Sequence, residues 1–265
     1  MTLETNINKA SVRKNFSSQA KDYDRYAVVQ QVVAKRLAEL LKAYRQDWSF
    51  GLEIGCGTGL LTQQLLTLQP ELQLMLSDIA HGMTQYIKES FPQFVACDAD
   101  AAALPFTAGS FDLVVSSSVY QWLNDFPNAF RQVSHVLLSN GILALALFGE
   151  KTLYELRDSH RSALVDRESH VQSFPSRQEI SAALGEQLEI VELRSEFEVE
   201  WHENVPALLK SLKKIGAQNA SKKKPRGLAS RKTMHEMIAH YENRYRTAQG
   251  IPATYEVIYL IARRR

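Results

Sequence analysis

The stretch LEIGCGTG, residues 52–59, decides the fold, because three alternating glycines follow an apolar run and precede a helical pattern. A glycine turn after a first strand lets the backbone approach a ligand, with the N-terminus of the next helix close by. A dinucleotide-binding turn has the spacing G-x-G-x-x-G, whereas the glycines here lie at positions 55, 57 and 59. The turn therefore indicates a related nucleotide-type ligand, or else only a tight connection between a strand and a helix.

Glu53 comes two residues before the first of these glycines. A carboxylate beside the turn repels a pyrophosphate, which makes a dinucleotide an awkward ligand. It suits a ligand that carries a cation there, such as the amino group of a methionine moiety. The turn and its acid together favour a sulfonium nucleoside over a dinucleotide.

The rest of the chain alternates strand patterns with helical patterns. Predicted strands cover residues 48–54, 72–79, 93–100, 111–119, 141–149, 188–201 and 254–265. Such alternation is typical of an α/β fold with a largely parallel sheet that is covered on both faces. We expect one domain over residues 1–265, with N-terminal helices at 1–45 over the cofactor site and cap or lid elements at 152–175 and 203–250.

Composition and charge are ordinary for a soluble enzyme of 265 residues, with a formal net charge of +2. No run of eighteen apolar residues is present, and the N-terminus lacks the apolar core of a secretory signal. The two cysteines do not form a disulfide framework. We therefore expect a cytoplasmic enzyme that does not bind membranes.

Acidic residues follow the next two predicted strands. Asp78 lies 25 residues after Glu53, where a carboxylate accepts hydrogen bonds from the hydroxyls of a ribose, although a dehydrogenase for NAD places an acid there too. Asp98 ends the third strand and could accept from an adenine amino group or cap a turn. Since parallel strands end at one edge of a sheet, the three acids are predicted to surround one cleft.

Four motifs resemble those of the class I S-adenosylmethionine-dependent methyltransferases: EIGCGTG at 53–59, LSDIA at 76–80, CDADAAALPF at 97–106 and FDLVVSSSVYQW at 111–122. The resemblance implies a seven-stranded, Rossmann-like sheet whose last strand runs antiparallel, with S-adenosylmethionine as cofactor. It further implies that the turn holds the methionine portion, Asp78 the ribose, and Asp98 with Ala99 the adenine. The full set of cofactor-binding candidates is Glu53, Gly55, Cys56, Gly57, Asp78, Ile79, Asp98, Ala99 and Ser116. The Cys56 side chain itself is interpreted as structural, because no base lies beside it in the sequence.

The residues after the fourth strand constrain the methyl acceptor. No histidine or carboxylate stands out there as a general base, which favours an acceptor that is already ionised, such as a carboxylate. Tyr23 and Trp122 are the candidates that contact the substrate, and the alternative is that these aromatics only pack the helices. Methyl transfer otherwise requires mainly proximity and alignment.

Residues 205–232 carry nine basic side chains and no acid. The candidates for binding an acidic partner are Lys210, Lys213, Lys214, Lys222, Lys223, Lys224 and Arg226. A strongly acidic protein and RNA are both possible partners, and the run could also be a solvated surface. The absence of interleaved aromatic residues argues against nucleic acid.

Four further segments resemble the malonyl-acyl carrier protein O-methyltransferases of biotin synthesis: YDRYAVVQ at 23–30, FGEKTLYELRDSH at 148–160, LLKSLKKIGAQN at 208–219 and PATYEVIYLIAR at 252–263. This resemblance implies methylation of the free carboxylate of a malonyl thioester carried by an acidic acyl carrier protein, or by coenzyme A. Alternatives are a methyltransferase for a small acid such as trans-aconitate, a quinone-type C-methyltransferase, and a non-catalytic RNA-binding regulator.

Overall fold

The computed structural model describes residues 7–44, 47–164, 173–217 and 231–265, and its centre is one sheet of seven strands. The strands are β1 (Phe50–Ile54), β2 (Gln73–Asp78), β3 (Val95–Asp98), β4 (Phe111–Ser117), β5 (Leu137–Phe148), β6 (Leu188–His202) and β7 (Ile251–Arg264). Their order across the sheet is β3-β2-β1-β4-β5-β7-β6. The chain therefore reverses direction across the sheet between β1 and β4, where ligands of open α/β sheets bind.

The last strand runs antiparallel to both of its neighbours, β5 and β6, whereas β1 to β5 pair in parallel. This confirms the predicted seven-stranded, mostly parallel sheet. The central strands are apolar almost throughout, and β7 is buried at every position from 253 to 262. Burial on both faces explains why these strands have continuous apolar runs rather than alternation.

Helices cover both faces of the sheet. They are α1 (Lys9–Ser17), α2 (Tyr23–Tyr26), α3 (Val28–Leu41), α4 (Leu60–Leu68), α5 (His81–Ser90), α6 (Phe126–Val136), α7 (Tyr154–Ser162), α8 (Arg177–Ala183), α9 (Val205–Lys214) and α10 (Arg231–Tyr245). One apolar core joins α3, α4, α7, α9 and α10 to the sheet, and a second joins α6 and α8 to its other face. No helix among the described residues is long and apolar enough to cross a membrane.

The strand boundaries differ from the sequence predictions by up to four residues, and two of the differences, at β5 and β3, are instructive. β5 begins at Leu137 rather than at residue 141, because its first residues continue directly from α6 and pair with Phe111 before a register shift. β3 is limited to four residues, and the chain turns at Asp100, which forms an isolated bridge with Ala103. Part of the predicted cap, at residues 165–172 and 218–230, lies outside the described residues.

Candidate active site

The glycine turn and Asp78 form one hydrogen-bonded unit at the carboxyl edge of the sheet. The backbone N–H of Gly57 donates to Asp78 Oδ2 at 3.0 Å, and that of Ala80 donates to Oδ1 at 2.7 Å. Burial raises the pKa of Asp78 to about 6, while these backbone hydrogen bonds act in the opposite direction. Asp78 is thus mainly ionised at neutral pH, with lone pairs left to accept further hydrogen bonds.

Gly57 leaves space beside this carboxylate. Its φ of 53° lies in the left-handed region, and a Cβ built there would meet no atom within 4 Å. Gly55, with a φ of 72°, has no such room, because a Cβ there would lie 2.2 Å from a methyl carbon of Val119. The turn therefore needs glycine for backbone conformation at both positions and for close packing at Gly55.

Glu53 and Cys56 are buried behind the turn. The Thr62 hydroxyl donates to Glu53 Oε2 at 2.6 Å, and burial raises the pKa of the Glu53 carboxyl to about 8. Burial also raises the pKa of the Cys56 thiol, so the thiol is un-ionised and packs in the core. These properties agree with a structural role for the Cys56 side chain.

The turn cavity lies in front of this unit. Its described lining residues are Lys9, Val12, Phe16, Tyr23, Ile54, Gly55, Gly57, Asp78, Ile79, Met83, Ala99, Asp100, Ala101, Ser117, Ser118, Val119, Trp122 and Leu123. Of the predicted cofactor residues, the structure brings Gly55, Gly57, Asp78, Ile79 and Ala99 together here. Glu53 and Cys56 line a small adjoining pocket, which shares five of its residues with the turn cavity: Tyr23, Gly55, Gly57, Ser117 and Ser118.

Asp98 lies in a pocket beside the turn cavity rather than in its lining. That pocket shares Ile79, Ala99 and Asp100 with the turn cavity, so Asp98 adjoins it at the end of β3. The Asp98 carboxylate receives a hydrogen bond from Thr84 and lies 2.8 Å from His81 Nδ1. Asp100 lines both spaces and pairs with Lys9 of α1 at 2.6 Å.

Ser116 also differs from its predicted position. Its side chain is buried within the sheet and donates to the carbonyl of Ile54 at 2.7 Å, so it connects β4 to β1. The next two residues, Ser117 and Ser118, line the turn cavity instead. Ser118 has a φ of 59°, and its buried Oγ has no hydrogen-bond partner within the parts of the chain that the structure describes. A non-glycine residue held in this conformation is typical of functional sites.

A second space, the cap cavity, lies next to the turn cavity and has a volume of about 330 Å³. Its described lining residues are Phe16, Tyr23, Gln30, Ser118, Gln121, Trp122, Phe148, Thr152, Leu153, Leu156, Phe174, Leu209, Leu212, Lys213, Ile215, Ala217 and Tyr255. They come from both ends of the chain and from the predicted cap. Tyr23, Trp122 and Lys213 among them were predicted from the sequence. The residues of the apolar wall were not, because their sequence pattern is the same as that of buried core residues.

Four residues line both cavities: Phe16, Tyr23, Ser118 and Trp122. The Phe16 ring contacts Trp122 edge-on at 5.6 Å between centroids and lies 6.3 Å from the Tyr23 ring. Burial and the nearby Asp78 and Asp24 carboxylates raise the pKa of Tyr23, so its hydroxyl is a hydrogen-bond donor at neutral pH. Tyr23 and Trp122 therefore lie where the two cavities meet.

The basic candidates on α9 differ in their surroundings. Lys210 and Lys213 are exposed, whereas Lys214 pairs with Asp22 at 3.5 Å and lies over the ring of Tyr26. Lys222, Lys223, Lys224 and Arg226 lie outside the described residues.

Comparisons with known proteins identify the fold and the family of the chain. Residues 52–145 match a family model described as a methyltransferase domain. The structure also resembles a Bacillus halodurans protein with a TM-score of 0.58 at 14% identity, covering 86% of this chain and 97% of that one. Geranyl diphosphate methyltransferase gives a TM-score of 0.52 at 11% identity over 86% of this chain and 77% of that one. At such identities the likeness shows the fold alone.

Relatives of closer sequence extend over nearly the whole chain. The malonyl-acyl-carrier-protein O-methyltransferase of Geobacter sulfurreducens is 41% identical, covering 97% of this chain and 100% of the relative. That of Acetivibrio thermocellus is 33% identical over 98% of this chain and 95% of the relative. The biotin biosynthesis bifunctional protein BioHC of Teredinibacter turnerae is 32% identical, and the match covers 97% of this chain and 47% of that protein. The chain therefore belongs to the malonyl-acyl-carrier-protein O-methyltransferase family.

Proposed function

We propose that this protein transfers the methyl group of S-adenosylmethionine to the free carboxylate of a malonyl thioester carried by an acyl carrier protein or coenzyme A. The product is the malonyl methyl ester that primes pimeloyl synthesis for biotin. The observation that carries the proposal is the common wall of Phe16, Tyr23, Ser118 and Trp122, which joins a polar cavity to an apolar one. The names of the relatives support the choice of substrate.

The turn cavity fits the cofactor in chemistry and shape. Asp78 is a buried acceptor with unused lone pairs for the ribose hydroxyls, and the open space beside Gly57 admits a ligand against the backbone. Asp98 and Asp100 lie together in the pocket that shares Ile79 and Ala99 with the turn cavity, where a carboxylate can accept from the adenine amino group. S-adenosylmethionine supplies an electrophilic methyl group when bound.

The cap cavity suits an acceptor that needs no deprotonation. None of its lining residues in the described part of the chain is a histidine, aspartate or glutamate. A carboxylic acid with an ordinary pKa near 4 is already a nucleophile at pH 7, so a general base is unnecessary. The protein then contributes chiefly by holding the carboxylate oxygen in line with the methyl group.

Two hydroxyl groups at the common wall can hold that carboxylate. Tyr23 keeps its proton because its pKa is raised, and the buried Ser118 Oγ has no partner within the described residues. Hydroxyl donors orient an anion without neutralising it, so its oxygen remains nucleophilic. Trp122 contributes an aromatic surface that limits where the acyl group lies.

The carrier protein would dock beside α9. Lys210 and Lys213 are exposed there, and acyl carrier proteins are acidic, so opposite charges would assist the encounter. Lys214 already pairs with Asp22 and is less available.

The proposal is tested by incubating the protein with methyl-labelled S-adenosylmethionine and malonyl-acyl carrier protein. We expect a base-labile methyl ester on the malonyl group. Acetyl-acyl carrier protein is the matched control, because it has the same carrier and thioester but no free carboxylate. Absence of labelled ester on the malonyl substrate, or equal labelling of the acetyl substrate, would contradict the proposal.

A further inference from the structure

The cap cavity has a single charged lining residue in the described chain, Lys213. It is also the only one of those lining residues that is exposed, whereas the remainder are buried or half-buried. An exposed residue that lines a cavity lies at its mouth. We call the common wall with the turn cavity, whose residues are half-buried, the inner end. The cap cavity therefore has the hydroxyls of Tyr23 and Ser118 at its border with the turn cavity and a cation at its opening.

Lys213 has no ion-pair partner among residues 7–44, 47–164, 173–217 and 231–265. Two other lysines near the site do have partners, since Lys214 pairs with Asp22 and Lys9 pairs with Asp100. The neighbouring α9 residues Leu209 and Leu212 line the cavity wall, so the Lys213 stem begins beside apolar surface. A lysine commonly covers such surface with its methylene groups while its ammonium group stays in water. This leaves one uncompensated positive charge where a ligand enters.

A malonyl thioester carries negative charge at two distant places. Its carboxylate must reach the common wall to meet the methyl group, which is the inner end of the cavity. The phosphodiester at the far end of the pantetheine arm stays outside when the thioester is inside. We propose that Lys213 binds this phosphodiester. Lys213 would therefore recognise the pantetheine arm of the substrate rather than its acyl group. The inference rests on the proposed function and adds a phosphate subsite to it.

The test compares two substrates that differ only in the phosphate. Malonyl-4′-phosphopantetheine ends in the phosphate, and malonyl-pantetheine has the same thioester without it. For Lys213→Glu we expect KM for malonyl-4′-phosphopantetheine to rise about fivefold with kcat little changed, as for a partly exposed charge pair. KM for malonyl-pantetheine should stay within about twofold of its value for the unmodified protein. Lys35→Glu, an equal charge change at an exposed position of α3 outside both cavities, controls for long-range electrostatics.

Three outcomes would overturn the inference. An equal rise in KM for both substrates would assign Lys213 to the malonyl carboxylate instead. An unchanged KM for malonyl-4′-phosphopantetheine, or a rise matched by Lys35→Glu, would show that Lys213 binds no substrate phosphate. Failure of the unmodified protein to methylate malonyl-acyl carrier protein as well as both probes is a different result, because it refutes the proposed function itself.

Discussion

The turn cavity and the cap cavity lie side by side but are built in different ways. Apart from α1 and Tyr23, the turn cavity is lined by residues 54–123, where successive parallel strands end at one edge of the sheet. The residues that line the cap cavity are spread along the sequence from Phe16 to Tyr255 and include residues of α7, α9 and β7. A site made by consecutive strand ends leaves a local sequence motif, whereas one assembled from distant segments does not.

The two cavities also differ in polarity. The turn cavity contains Asp78, Asp100 and Lys9, and its acids are fixed by backbone N–H groups or by a cation. The cap cavity is mainly apolar, with its charge confined to Lys213 at the mouth. One cavity therefore recognises a polar ligand by fixed hydrogen bonds, and the other admits an acyl chain largely by shape and burial.

The largest expected effect concerns the acid that anchors the turn cavity. Asp78→Ala should weaken S-adenosylmethionine binding by about 1.5–3 kcal/mol, roughly tenfold to a hundredfold, because two ribose hydroxyls lose a charged acceptor. Isothermal titration calorimetry measures this directly. Glu71→Ala, which removes an exposed carboxylate away from these cavities, should have a clearly smaller effect. Equal losses for the two variants would mean that Asp78 does not bind the ribose.

The next effect is expected at the common wall. Tyr23→Phe removes a hydroxyl that stays protonated at neutral pH, and kcat/KM for the malonyl substrate should fall about tenfold through loss of one hydrogen bond to an anion. Cofactor affinity should change much less, because the turn cavity keeps its acids. Steady-state kinetics together with cofactor titration separate the two. A parallel loss of cofactor binding would place Tyr23 in the turn cavity alone.

A pH effect is expected from Glu53, buried behind the turn. Its pKa is raised from 4.5 to about 8 in the folded chain, so the folded state holds this proton more tightly than the unfolded state. The associated stability is complete below pH 4.5 and is lost as pH rises toward about 8, by up to about 1.4 kcal/mol per pH unit. Glu53→Gln should flatten this decline in urea denaturation between pH 5 and pH 8. The exposed Glu71→Gln is the control, and identical pH profiles for the two variants would contradict the assignment.

The smallest expected effect is at Ser118, where the same substitution should raise the stability of the protein and lower its affinity for the substrate. Ser118→Gly relieves the left-handed backbone, so the free energy of unfolding should rise by about 0.5–1 kcal/mol. The same change removes the hydroxyl, and KM for the malonyl substrate should therefore increase. Ser118→Asn tolerates the conformation and retains a donor, which should restore part of the affinity. A glycine variant that is more stable and fully active would show that the hydroxyl has no substrate role.

Much of the turn cavity could be predicted because its chemistry follows the order of the strands. The glycine spacing and Asp78 belong to a motif of regular geometry, and the antiparallel last strand was implied by the family resemblance. The residue that the structure places away from the cavity lining, Ser116, lies within two residues of a strand end. Side chains alternate along a strand and change direction in the turn after it, so a small offset moves a carboxylate or hydroxyl out of the cavity.

The cap cavity could be predicted only in part, for a physical reason. Residues such as Phe148, Leu156 and Tyr255 have the same apolar pattern whether they fill a core or line a space. Only the packing of α7 against β7, and of α9 against α2 and β6, leaves that space unfilled. The basic residues of α9 were visible in the sequence, but the distinction between Lys213 at the mouth and Lys214 in an ion pair depends on side-chain direction.

Substrate competition tests the central claim most directly. Malonyl-acyl carrier protein, free malonate and trans-aconitate are supplied together with limiting protein and labelled S-adenosylmethionine, and the methyl esters formed are separated and counted. We expect nearly all of the label in the malonyl thioester, because only this substrate fills the apolar cap cavity while presenting a carboxylate at the common wall. Equal or preferred labelling of a free small acid would contradict it.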